Sequence, residues 1–197
     1  QPAPSLKGFV EQRRRFLLEH DEITGLARPS RPARTSPRPA GPARPQNRRP
    51  QANRTTVVIN ELMAANDRTI ATPDGKFEDW IELFNQGERP VDISGFFLSD
   101  SRDSLRRWSF PAGTIIPAGG YLVIWADKNG KPREGLHANF RLSRNGEAVF
   151  FSDEQGLLDQ VEFGRQATRV SFGRSPDGTG PWRSLAPSAG LTNPRAR

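Results

Sequence analysis

From Thr55 to Asn193 apolar and polar residues alternate in short runs, among them "TTVVINELMA", "DWIELFN", "PVDISGFFLSD", "GYLVIWA", "FRLS", "EAVFFSD", "LLDQVEF" and "RVSFGRS". Clusters such as "PDGK", "NQGE", "KNGK", "RNGE" and "SPDGTG" separate them. A period of two puts successive side chains on opposite faces of an extended strand, and Gly, Asn, Asp and Pro clusters end each run. No stretch of this region carries a convincing helical period, so the pattern predicts an all-β fold, an immunoglobulin-like β-sandwich. "SRNGEAV" predicts a hairpin closed by Asn145-Gly146 in a type I′ turn.

The residues before Thr55 differ in composition. Ser5 to His20, "SLKGFVEQRRRFLLEH", sets Leu6, Phe9, Val10, Phe16 and Leu17 near helical spacing with Ser5 at the N-cap position. A lone helix of this length is marginal in water and needs a surface to dock on, so the expected partner is an upstream domain of the same protein or, as the alternative, the sandwich that follows. Arg28 to Arg54 is nearly all Pro, Arg, Ala and small polar residues. Proline removes backbone donors and arginine stays charged, so the segment reads as a disordered, Pro/Arg-rich linker. The predicted organisation is therefore an amphipathic helix over 1–26, the linker over 27–54, the sandwich over 55–194 and a tail over 195–197. The opening Gln1 reads as the start of a piece of a longer protein.

Charge divides at the same boundary. Residues 1–55 hold 12 Lys+Arg against 4 Asp+Glu, which leaves 17 against 18 of the chain's 29 and 22 for residues 56–197. Arg28, Arg31, Arg34, Arg38, Arg44, Arg48, Arg49 and Arg54 are thus the candidate contacts for a polyanion, such as a nucleic acid or an anionic glycan. With no cysteine, disulfides, thiolate metal sites and thiol nucleophiles are excluded. No apolar run approaches the roughly 20 residues of a membrane-spanning helix.

Two carboxylates stand out. In "DWIELFN" a strand puts Trp80, Glu82 and Phe84 on one face and Ile81 and Leu83 on the other, so both faces are apolar and Glu82 is enclosed. "VINELM" repeats the pattern around Glu61, between Ile59 and Met63. An enclosed carboxylate must be hydrogen-bonded, paired or protonated. The pair reads as structural, although two enclosed carboxylates are also what a glycosidase uses. In "NDRTIATPDGKFED", Asn66, Asp67, Asp74, Glu78 and Asp79 supply hard oxygen ligands suited to Ca²⁺; Asp74, Glu78 and Asp79 are the metal candidates, at a spacing unlike the calcium-loop pattern. A Ser/His/Asp triad would have to use His137 in "REGLHANF", and no phosphate-binding glycine loop occurs. Arg106, Arg107 and Trp108 in "LRRWSF" suggest a basic-aromatic face, against the near-neutral charge of the region.

Together, "VVINELMAAN", "DGKFEDWIELFNQGERPVDISGFFLSD", "WSFPAGTIIPAGGYLVIWAD" and "SFGRSPDGTGPWRSLAPSAGLTN" resemble a bacterial lamin-tail domain over roughly Thr56 to Asn193. The resemblance implies an immunoglobulin-like sandwich and a non-catalytic module for binding or attachment. The ending "APSAGLTN" departs from the family's Thr-Pro-Gly turn. "LKGFVEQRRRFLLEH" is similar to the closing helix of spore-coat-protein-H-like (CotH) kinase domains, which implies an atypical kinase upstream and an extracellular or cell-surface setting. The expected partners are then that upstream domain and a protein or cell-surface polymer.

Overall fold

The structure, a computed structural model, describes residues 55–129 and 133–195. The helix expected over residues 5–20, the linker and all eight linker arginines lie outside the described residues.

Two main sheets face each other. Six strands run in the order β12 (Trp182–Leu185), β11 (Ser171–Arg174), β1 (Val57–Met63), β2 (Trp80–Asn85), β7 (Tyr121–Ala126) and β8 (Leu136–Ala138). Four run in the order β10 (Gly156–Phe163), β9 (Glu147–Asp153), β4 (Phe97–Ser99) and β5 (Trp108–Ser109). β3 (Val91–Asp92) and β6 (Ile115–Ile116) pair separately. Every described pairing is antiparallel except β7 with β8. The fold is the all-β, immunoglobulin-like sandwich that the alternation predicts. No helix among the described residues is long and apolar enough to cross a membrane.

The core follows from the period. Ile59, Leu62, Ile81, Leu83 and Ile124 from the larger sheet meet Leu98, Val149, Phe151, Val161 and Phe163 from the smaller one. Burying each such side chain stabilises by about 1.5–3 kcal/mol. A bulge between Ile59 and Glu61 interrupts β1, so Ile59 and Leu62 both face the core while Glu61 pairs across from Glu82. Glu61 therefore does not share a face with Ile59, as strict alternation implied. β11 pairs with β1 at Glu61 and Leu62. The Ile59 amide donates instead to Asp159 Oδ2 (2.9 Å), and its carbonyl accepts from Arg174 Nε (3.0 Å). Arg174 also lies over the Trp182 ring, 4.9 Å from its centroid, so one arginine closes that end of the core.

Three local expectations change. The turn near Asn145 has the Gly146 amide bonded to the Ser143 carbonyl (3.0 Å), so its central pair is Arg144-Asn145. Only Gly146 there has positive φ (102°), whereas a type I′ turn needs it at both central residues. This turn carries the chain from beside β7 into β9 of the other sheet. It is a crossover, and "FRLS" contributes only a bridge from Arg141 to Asp127. The residues of the basic-aromatic face are engaged within the chain: Arg106 and Arg107 pair with Glu154 and Asp100 and lie over the Phe97 and Phe140 rings, and Trp108 packs edge-on against Phe110, 4.8 Å between centroids.

Candidate functional site

The outward face of the six-stranded sheet is covered by loops, and its side chains stand in rungs. Register aligns Met63, Trp80, Trp125 and His137 across β1, β2, β7 and β8. The next rung runs Gly173, Glu61, Glu82 and Val123. Glu61 and Glu82 are neighbours on one rung, fully buried beneath residues 175–194.

Every oxygen of the pair has a partner. Glu82 Oε1 accepts from Asn60 Nδ2 (3.0 Å) and Oε2 from the Gly190 amide. Glu61 Oε1 accepts from the Ser188 amide (3.1 Å), and Oε2 lies 3.0 Å from the Ser188 hydroxyl. That hydroxyl is also 2.7 Å from Asn193 Oδ1. The Asn193 amide nitrogen donates to the Arg174 carbonyl (2.8 Å), which fixes its oxygen as an acceptor. Ser188 has one proton for two acceptors: it donates to Glu61 Oε2 when that carboxyl is ionised, and a protonated Glu61 can instead donate to Ser188 Oγ and leave the hydroxyl proton to Asn193 Oδ1. Burial favours the protonated form, raising the Glu61 pKa to about 7 against hydrogen bonds from Ser171 and Ser188. Burial and the adjacent Glu61 raise Glu82 well above its ordinary value. The two titrate as a pair, and the donors assign the shared proton to Glu61, because both Glu82 oxygens face N–H groups.

Asp177 completes the network, accepting from Asn60 Nδ2 (2.9 Å), Tyr121 Oη (2.8 Å) and the Asn193 amide (3.2 Å). A Cβ at Gly173 would stand 2.8 Å from Asn193 Nδ2 and 3.0 Å from Glu61 Cγ, so the rung needs glycine there. The arrangement ties the closing segment to the sheet. It leaves neither carboxyl facing solvent, where a glycosidic bond would have to enter.

The acidic turn is dispersed. Asp74 takes the Thr72 hydroxyl, Lys76 (3.1 Å) and Arg133 (3.1 Å), which hold its pKa down at about 2. Asp67 takes Arg169 (2.9 Å), and the Asn66 side chain donates to the Ile70 and Glu78 carbonyls. Burial raises Asp79 to about 6, against a bond from the Asn66 amide. Among the described residues no group of three or more His, Cys, Asp or Glu is placed to hold a metal ion.

His137 is buried on β8 with both ring nitrogens engaged: Nδ1 is 2.8 Å from Asp127 Oδ2 and Nε2 3.0 Å from the Glu134 carbonyl. Burial lowers its pKa, opposed by the Glu134 carbonyl. Among the described residues the partner of Nε2 is a carbonyl and not a hydroxyl, so the pair braces the β7–β8 edge. Beside it opens a polar cavity of about 500 Å³, with Lys76, Lys128, Arg133 and Arg141 as its cations, Glu78 and Asp127 as its acids, and Asn129 on its rim. Lys128 stands in left-handed backbone (φ 64°), pinned by its amide to the Phe140 carbonyl (3.0 Å). Neither the Asp127–His137 pair nor this cavity has a local sequence signal, since each joins residues from separate turns.

Residues 50–165 of the chain are similar to the family described as Lamin Tail Domain, a match to more than half of the 197 residues. β11, β12 and the segment that covers Glu61 and Glu82 lie beyond the matched range. No curated protein matches the chain.

Proposed function

The chain belongs to the lamin tail domain family, and from that premise we propose that it is a non-catalytic binding or attachment module. One observation supports this most: the buried groups an enzyme would recruit, Glu61, Glu82, Asp127 and His137, are each held by protein partners. Among the described residues, an open concave surface is the polar cavity beside β8. The helix-like "LKGFVEQRRRFLLEH" extends the reading to a module carried behind an upstream CotH-type kinase domain, in an exported protein that attaches to a protein or polymer at the cell surface.

Turnover decides between module and enzyme. The purified chain, incubated with ATP and with a panel of glycans, should release no product above a protein-free blank. Sustained turnover that disappears in Glu82→Gln, with the fold retained by circular dichroism, would overturn the proposal.

A further inference from the structure

The cavity beside β8 is lined by four cations and two acids. Its two acids are held unequally. Asp127 is buried and committed on both oxygens: Oδ1 accepts from the Asn129 amide (3.0 Å), and Oδ2 takes His137 and Arg133. Glu78 is held only loosely, with Arg141 Nη2 3.9 Å away, beyond hydrogen-bond reach. The cations are the reverse. Lys76 and Arg133 are engaged by Asp74, but the exposed Lys128 has no carboxylate within ion-pair distance among the described residues. The Arg141 side chain, 61% exposed, is held by a 3.4 Å contact from Nε to the Asp127 carbonyl and by the long 3.9 Å ion pair from Nη2 to Glu78, neither of them a short bond to a carboxylate.

A largely exposed guanidinium fork with no short carboxylate bond, and an ammonium lining the same cavity, match the two parallel acceptors of a carboxylate. Resting on the binding-module reading, we propose that this cavity binds a ligand carboxylate, with Arg141 as the fork and Lys128 as the second charge. Glu78 sets the preference between oxyanions. It stays in the wall when Arg141 turns to the ligand, and it repels a phosphate, which gathers up to two charges on the one group beside Glu78, more strongly than a carboxylate group that carries one.

The test uses the full chain, isotopically labelled, with succinate and inorganic phosphate titrated separately at about 150 mM ionic strength, so that long-range attraction is screened. The amide signals of Lys128, Asn129 and Arg141 should shift saturably with succinate, and phosphate should need several times the concentration. Arg141→Glu should weaken the succinate response at least about tenfold, as reversing one charge of a close pair does. Lys128→Glu should weaken it in the same direction. Arg183→Glu, the same charge change on β12 at the opposite edge of the sheet, should leave it intact. Three results each overturn the assignment: no saturable shift at those amides, a response unaffected by Arg141→Glu and Lys128→Glu, or phosphate binding as well as succinate. Succinate should be recovered unchanged at the end; its consumption would sink the binding-module reading while leaving the site in place.

Discussion

A single proton on Glu61 links the sheet to the chain's closing segment. A carboxyl whose pKa is raised in the folded state favours folding where it is protonated. Its stabilisation is complete below the unfolded value, near 4.5, and is lost as pH rises through about 7. Glu82 and Asp79 shift in the same direction and add to the slope. Stability measured by urea unfolding should therefore fall between pH 5 and pH 8. Glu61→Gln should flatten that fall, because an amide donates to Ser188 Oγ and accepts from the Ser188 N–H as the protonated acid does. At pH 8 the variant should be more stable than the parent, on the order of 1–3 kcal/mol. An unaltered pH slope in Glu61→Gln would place the proton elsewhere. Glu82→Ala should cost roughly 2–4 kcal/mol, since it leaves the Gly190 amide and one of the two Asn60 Nδ2 hydrogens without a buried acceptor. An unchanged unfolding midpoint would mean that Glu82 does not hold the segment.

Among the elements, legibility tracks length and local pattern. β2 is readable from "DWIELFN" because six residues give the period room to repeat, and both its faces are covered as the pattern requires. β8 and β12, three and four residues long, are too short to show a period, and "LHA" sits amid turn residues. The bulge at Asn60 is equally silent, because it exists to let Asp159 and Arg174, about 100 residues downstream, reach Ile59. The carboxylates Glu61 and Glu82 are legible as enclosed, but their partners Ser188, Gly190 and Asn193 lie in "SAGLTN", whose small polar residues look like any loop. That closing segment and β11 fall outside the range matched to the family, yet β11 is the neighbour of β1 in the sheet. A chain of residues 53–165 would leave β1 as an open edge over two uncapped glutamates. It should show no cooperative thermal transition by circular dichroism, while residues 53–195 should melt in a single step. A cooperative melt of the shorter chain at the same temperature would show that the closing segment is ornament.

Across the whole molecule, charge separates what the sandwich can bind from what the arm can. Residues 56–197 are near neutrality, with 17 Lys+Arg against 18 Asp+Glu, so a general attraction to polyanions is to be expected of the 12 Lys+Arg of residues 1–55. Each arginine that neutralises a phosphate releases counterions and adds about 0.9 to the slope of log K against log salt. The cavity near β8 has a different signature: a localised site with paired walls, whose affinity for a small acid depends on Arg141 and Lys128 rather than on summed charge. The two modes can therefore be told apart in one experiment on duplex DNA. The full chain should be retained at low salt and released steeply as salt rises, and a chain of residues 55–197 should not be retained. Arg141→Glu in the full chain should change retention little. Equal, salt-insensitive retention of residues 55–197 would move polyanion binding from the arm onto the sandwich. A large loss in Arg141→Glu would assign it to the cavity.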